Sequence, residues 1–105
     1  MTSQNKIALI TGGSRGLGRN TAVALARAGV DVVITYRSRK ENAEDVVRDI
    51  EALGGKAAAL QLDTADVSSF DGFVEALRGK LEILWSRDRI DFLVNNAGFG
   101  AHAAI

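Results

Sequence analysis

Eight residues, Thr11-Gly-Gly-Ser-Arg-Gly-Leu-Gly18, constrain this chain more than any others. They follow the apolar run Ile7-Ala-Leu-Ile10 and lead into Thr21-Ala-Val-Ala-Leu-Ala-Arg27, a helix-forming stretch. A strand, a glycine-rich turn and a helix in that order form a phosphate-binding element. The glycines let the main chain come close to a ligand, and the helix start offers unpaired N–H groups and a positive dipole end to an anion.

The remainder of the chain supplies the frame for such an element. Residues 6–11 read as a strand without alternation, the pattern of burial on both faces. Leu17, Thr21, Ala22, Leu25 and Ala28 recur at helical spacing, and Gly29 is a C-terminal stop. Asp31-Val-Val-Ile-Thr-Tyr36 is a second, β-branched strand. Ser38 and Glu41 have the spacing of a capping box, and Ala43, Val46, Val47, Ile50 and Leu53 share one helical face before Gly54-Gly55. Residues 56–62 give a third strand ending at Asp63. A third helix is expected over 67–85, with Val67, Phe70, Val74, Leu77, Leu81 and Leu84 as its apolar stripe. Gly72 and Gly79 inside it each cost roughly 1 kcal/mol relative to alanine. Ile90-Asp-Phe-Leu-Val-Asn95 is a fourth strand, and Phe92-Leu-Val94 reads as buried on both faces.

This βαβαβαβ order implies an α/β fold, a doubly wound parallel sheet of Rossmann type with strand order 3-2-1-4. By the crossover rule the first two helices cover one face and the third covers the other. At 105 residues the chain is one domain at most. Lys+Arg and Asp+Glu both number 13, so no global charge favours nucleic acid or an anionic membrane. The absence of cysteine rules out a disulfide framework and suits the cytoplasm, and no metal-ligand constellation is present. The start of the chain has too few consecutive apolar residues for a signal peptide or membrane span.

Several ligands compete for the glycine loop. Gly13 and Gly18 have P-loop spacing, but Arg19-Asn20 follows in place of Lys-Ser/Thr, removing the phosphate lysine and the Mg²⁺ hydroxyl. The common G-x-G-x-x-G pattern fails because Thr21 stands at the third glycine. A glycine-rich loop serving only as a tight turn is the plain alternative. What is present is Thr11-Gly12-x3-Gly16-x-Gly18, with Asn95-Asn-Ala-Gly98 after the fourth strand and Asp63-Thr64 after the third. In these motifs the sequence resembles the short-chain dehydrogenases/reductases over nearly its whole length, from Lys6 to Gly98. The resemblance implies that Gly12, Ser14, Gly16, Leu17 and Gly18 line the pyrophosphate and ribose of a dinucleotide. It implies further that Asp63 and Thr64 meet the adenine and that Asn96, Ala97 and Gly98 lie beside the cofactor. Asn95 is expected to tie the fourth strand to its neighbours.

In dinucleotide folds an acidic residue at the end of the second strand accepts from the ribose 2′-OH. Here that place holds Tyr36-Arg37-Ser38, without a carboxylate. Arg37 can pair with a 2′-phosphate and Ser38 can donate to it. Arg15 is a second cation, a pairing the family links with NADP. The expected cofactor is therefore NADP(H) rather than NAD(H); the plain alternative makes Arg15 and Arg37 solvated charges and Ser38 a helix cap.

A Tyr-x3-Lys pair, the family's catalytic signature, occurs at Tyr36 and Lys40, where a strand end and a helix start keep the two off one helical face. The only histidine, His102, stands on a small-residue tail. The family's catalytic Ser, Tyr, Lys and further Asn come later than residue 105, so no catalytic residue is assigned. With a fourth strand left uncovered and a tail without a polar stop, residues 1–105 are expected to be the N-terminal part of a Rossmann-type dinucleotide-binding domain in a longer enzyme. Such an enzyme transfers hydride between nicotinamide and a small-molecule carbonyl or alcohol, with homo-oligomers expected at full length. The competing expectation is a non-catalytic nucleotide-binding half-domain that dimerises.

Overall fold

A computed structural model describes residues 5–13, 16–63 and 65–96. In chain order the elements are β1 (Ile7–Thr11), α1 (Gly16–Arg27), β2 (Asp31–Tyr36), α2 (Lys40–Ala52), β3 (Ala57–Gln61), a 3₁₀ turn (Val67–Ser69), α3 (Phe70–Trp85) and β4 (Phe92–Asn95). The four strands form one parallel sheet in the order β3-β2-β1-β4. This is the expected doubly wound arrangement.

Period-two alternation along the central strands divides the core in two. Ala8, Ile10, Val32, Ile34 and Ala57 meet Ala22 and Ala26 of α1 and Ala43, Val46 and Ile50 of α2. Ile7, Leu9, Val33, Ala58 and Leu60 face the other way, onto Leu81 and Trp85 of α3. Two helices cover one face and one helix covers the other, as right-handed crossovers require. Alanines at the α1 contact let the helix sit close to the sheet. Gly29 and Gly54, both at φ +90°, take the left-handed turn that ends α1 and follows α2.

Four expectations change. The capping box does not form: Arg39 is the N-cap residue of α2 with no side-chain cap hydrogen bond, and Ser38 stands one position too early. Helix α3 begins only at Phe70, because Asp66 caps the preceding 3₁₀ turn by accepting from the Ser68 N–H. Its buried row is also different. Phe73, Leu77, Leu81 and Trp85, an i+4 series joined by Leu84, face the sheet, while Val67 and Val74 are exposed. Finally, Phe92 and Leu93 of β4 are exposed rather than buried, since strand side chains point to the sheet faces and among the described residues no helix covers β4 as helices cover β1 to β3.

Polar contacts fix the N-terminal ends of the strands. Buried Asp31 accepts from Trp85 Nε1 at 2.8 Å, joining β2 to α3. Asp91 accepts from the Ile7 N–H at 2.8 Å and from Arg87 at 3.0 Å, joining β4 to β1. The Ile7 N–H, opposed by partial desolvation and assisted by Arg87, holds the Asp91 carboxyl below its ordinary range.

Candidate coenzyme site

The glycine turn lies at the opposite, C-terminal ends of the strands, where ligands of open α/β sheets bind. Its position is set by both the side chain and the main chain of one β2 residue. The Gly12 N–H donates to Thr35 Oγ1 at 2.9 Å and the Gly13 N–H to the Thr35 carbonyl at 3.1 Å, so β2 staples the turn. Gly12 has φ +69° and Gly16 φ +63°, a conformation in which a side chain would be strained.

Close approach explains the other two glycines. A Cβ on Gly13 would lie 2.7 Å from Ile34 Cγ2, and one on Gly18 would lie 2.3 Å from the Gly12 carbonyl oxygen. Helix α1 therefore starts flush against the turn. Its first turn carries no acidic residue, and Leu17 is exposed. A cradle of this shape, with open space beside Gly16 and the N-terminus of α1 at its edge, fits an anionic pyrophosphate.

Strand β4 brings its end to the same place. Thr11 Oγ1 donates to Asn95 Oδ1 at 3.0 Å and accepts from the Asn96 N–H at 2.9 Å. Asn96 Nδ2 donates to the Gly12 carbonyl at 3.4 Å. Asn95 thus ties β4 to β1, and Asn96 stands beside the turn.

A second group gathers where β2 and β3 end. The Leu62 N–H donates to the Tyr36 carbonyl at 2.9 Å, and Gln61 Nε2 donates to the Arg37 carbonyl at 3.0 Å. The Arg37 side chain, 76% exposed, brings Nε to 3.8 Å from Asp63 Oδ1. Asp63 is itself held by the Ala65 N–H at 3.0 Å. Ser38 is exposed beside Arg37. The Tyr36 ring packs against the α1/α2 core and lines a groove of about 540 Å³ along β3 with Lys40 of α2.

The structure therefore brings Gly12, Gly16, Leu17, Gly18 and Asn96 together around one turn, and Tyr36, Arg37, Ser38 and Asp63 around the next. Ser14, Arg15, Thr64, Ala97 and Gly98 lie outside the described residues. Tyr36 closes β2 and Lys40 opens α2, so the Tyr-x3-Lys pair does not share a helix. The sequence reading assigned no role to Thr35 or Gln61 and took Thr11 only as the first residue of the glycine motif; the structure shows all three bracing the two turns. For Thr35 and Gln61 the only sequence signal is position, at strand ends beside the ligand-facing turns.

Comparison with known proteins agrees with this geometry. An uncharacterized oxidoreductase of Methylorubrum extorquens is 42% identical over 102 residues, covering 97% of this chain and 39% of that protein. The 3-oxoacyl-[acyl-carrier-protein] reductase of Synechocystis is 42% identical over 93 residues, covering 89% of this chain and 35% of that one. The chain thus spans less than two fifths of the length of either curated relative. Among solved structures, landomycin C-6 ketoreductase LanV with bound NADP and rabelomycin superposes with a TM-score of 0.86 at 36% identity, covering 96% of this chain and 41% of that one. A short chain dehydrogenase from Burkholderia cenocepacia in complex with NADP gives a TM-score of 0.74 at 45% identity, over 91% of this chain and 37% of that one. Residues 6–105 match the profile of the short chain dehydrogenases, and the chain belongs to that family.

Proposed function

We propose that this chain is the coenzyme-binding part of an NADP(H)-dependent oxidoreductase acting on a small-molecule carbonyl or alcohol. The observation that carries the coenzyme choice is Arg37. It stands exposed immediately after β2, in place of the carboxylate that would accept from a free 2′-OH and repel a 2′-phosphate. The NADP bound in two similar structures supports the same reading.

In this reading Gly12, Ser14, Gly16, Leu17 and Gly18 hold the pyrophosphate and ribose. Arg15, Arg37 and Ser38 hold the 2′-phosphate with Tyr36 beside the adenosine, and Asp63 and Thr64 meet the adenine. Asn96, Ala97 and Gly98 flank the coenzyme. When bound, its nicotinamide supplies or accepts the hydride. This chain's own contribution is to bind and orient, and we assign no catalytic residue within it. We place the enzyme in the cytoplasm as a homo-oligomer without nucleic-acid or membrane partners.

Titration with NADPH and NADH, followed by nicotinamide fluorescence, tests the coenzyme choice: NADPH binds the more tightly, and equal or tighter NADH binding overturns it. A second reading rests on exposed Phe92 and Leu93, which fit a non-catalytic nucleotide-binding unit that dimerises along β4. Carbonyl-dependent oxidation of NADPH supports the enzyme. A dimer that binds NADPH without turnover and dissociates on Leu93→Lys supports the second reading.

A further inference from the structure

Resting on the NADP(H) reading and deepening it, we propose that Gln61 and Asp63, at the end of β3, set the selectivity for the 2′-phosphate by controlling Arg37. Gln61 is a positioning residue that fixes the Arg37 main chain. Asp63 holds the guanidinium until a phosphate takes it over.

The geometry separates these two roles. Tyr36 pairs with Gln61 in the β2–β3 register, which brings the Gln61 side chain alongside the next residue, Arg37. Two successive carbonyls, those of Tyr36 and Arg37, then accept from β3, the first from the Leu62 N–H and the second from Gln61 Nε2. The first bond belongs to the main chain and survives any substitution. The second depends on an amide side chain, and without it only the Tyr36 carbonyl, not that of Arg37, is tied to β3.

The guanidinium is held more weakly. Its Nε lies 3.8 Å from Asp63 Oδ1, with the two side chains 76% and 39% exposed. A pair of this kind is worth little in water and is screened by salt. A phosphate offers more charge and three acceptor oxygens, so exchanging the carboxylate for the phosphate is favourable. An unphosphorylated coenzyme gains nothing from Arg37, which stays on Asp63. Asp63 keeps its own place throughout, because the Ala65 N–H holds its carboxylate. It therefore opposes 2′-phosphate binding twice, by competing for Arg37 and by its own negative charge.

The test uses two half-ligands, 2′-phosphorylated AMP and 5′-AMP, titrated calorimetrically into the full chain. Both carry the same adenine and 5′-phosphate, so any contact of Asp63 with adenine cancels in the ratio of their affinities. Gln61→Leu lowers that ratio about two- to fivefold, the effect of one neutral hydrogen bond. Asp63→Asn raises it by about the same factor. In an Arg37→Ala background the Gln61→Leu change vanishes, and the Asp63→Asn change shrinks to the part that comes from the charge of Asp63 itself. If Gln61→Leu fails to fold, Gln61→Met also lacks the donor and replaces it. Ratios unchanged in folded variants, or changes that persist undiminished without Arg37, overturn the proposal while the NADP(H) reading stands. A wild-type ratio near one overturns the NADP(H) reading itself.

Discussion

Between β1 and α1 the glycines are held by Thr35 and by close packing. The Gly12 and Gly13 N–H groups are bound to Thr35, two residues have positive φ, and Gly18 has no room for a methyl group. Between β2 and α2, at the same end of the sheet, Arg37 is held by one amide side chain and a carboxylate at the edge of ion-pair distance. A pyrophosphate is common to every dinucleotide, so its cradle gains from rigid main-chain geometry. The 2′-phosphate distinguishes one coenzyme from another, and in the proposed reading its recognition rests on exposed side chains that substitution alters without disturbing the fold. We therefore propose that affinity is concentrated in the first turn and selectivity in the second.

The strongest test of that division is Gly18→Ala. Its Cβ would stand 2.3 Å from the Gly12 oxygen and 2.6 Å from Asn96 Nδ2, forcing helix, turn and β4 apart. Overpacking of this kind costs roughly 1–3 kcal/mol. NADPH and NADH should weaken together, by about fivefold to a hundredfold if that cost falls on the bound state. A change in their ratio, measured by the same titration, would break the division. Thr11→Val comes next. It deprives the Asn96 N–H of its acceptor and Asn95 of its donor, at a cost of about 1–2 kcal/mol. Thermal melting should record the loss, and both coenzymes should again weaken alike. Arg37→Ala should do the opposite, lowering NADPH affinity about tenfold and leaving NADH unchanged, since a charge-assisted contact is lost only to the phosphate.

The same contrast explains what was legible in the sequence. Strands buried on both faces leave uninterrupted apolar runs, so β1 to β3 fell within a residue of their expected bounds, and Gly29 and Gly54 marked the turns beyond α1 and α2. The glycine turn was readable because its chemistry is local: each glycine answers to a backbone angle or a neighbour close in the fold. Helix α3 was less readable, because both Val74 and Phe73 fit helical spacing and only the angle of the helix to the sheet selects Phe73. Ser38 had the composition of a cap but not its backbone position. The bridge from Thr11 to Asn95 and Asn96, and the reach of Gln61 to Arg37, join residues far apart in sequence; no periodicity encodes them.

The smallest effect comes from the other end of the sheet and serves as the control. Asp91 is held by the Ile7 N–H and Arg87, and its folded-state value lies below the ordinary carboxylate value of 3.8. A carboxyl depressed in the folded state contributes stability that is complete above its unfolded value and is lost as pH falls through the folded one. Wild type should therefore be the more stable protein at neutral pH, and Asp91→Asn should approach it as the pH drops below that ordinary value. Denaturant titration across that range reads the convergence. Because Asp91 binds the first residue of β1, at the strand end opposite the glycine turn, NADPH and NADH affinities should both be unmoved by Asp91→Asn at neutral pH. If the substitution weakened both coenzymes, the order of the turn would depend on how β4 is anchored along its whole length, and the first turn could no longer be regarded as held locally by Thr35 and the packing of its glycines.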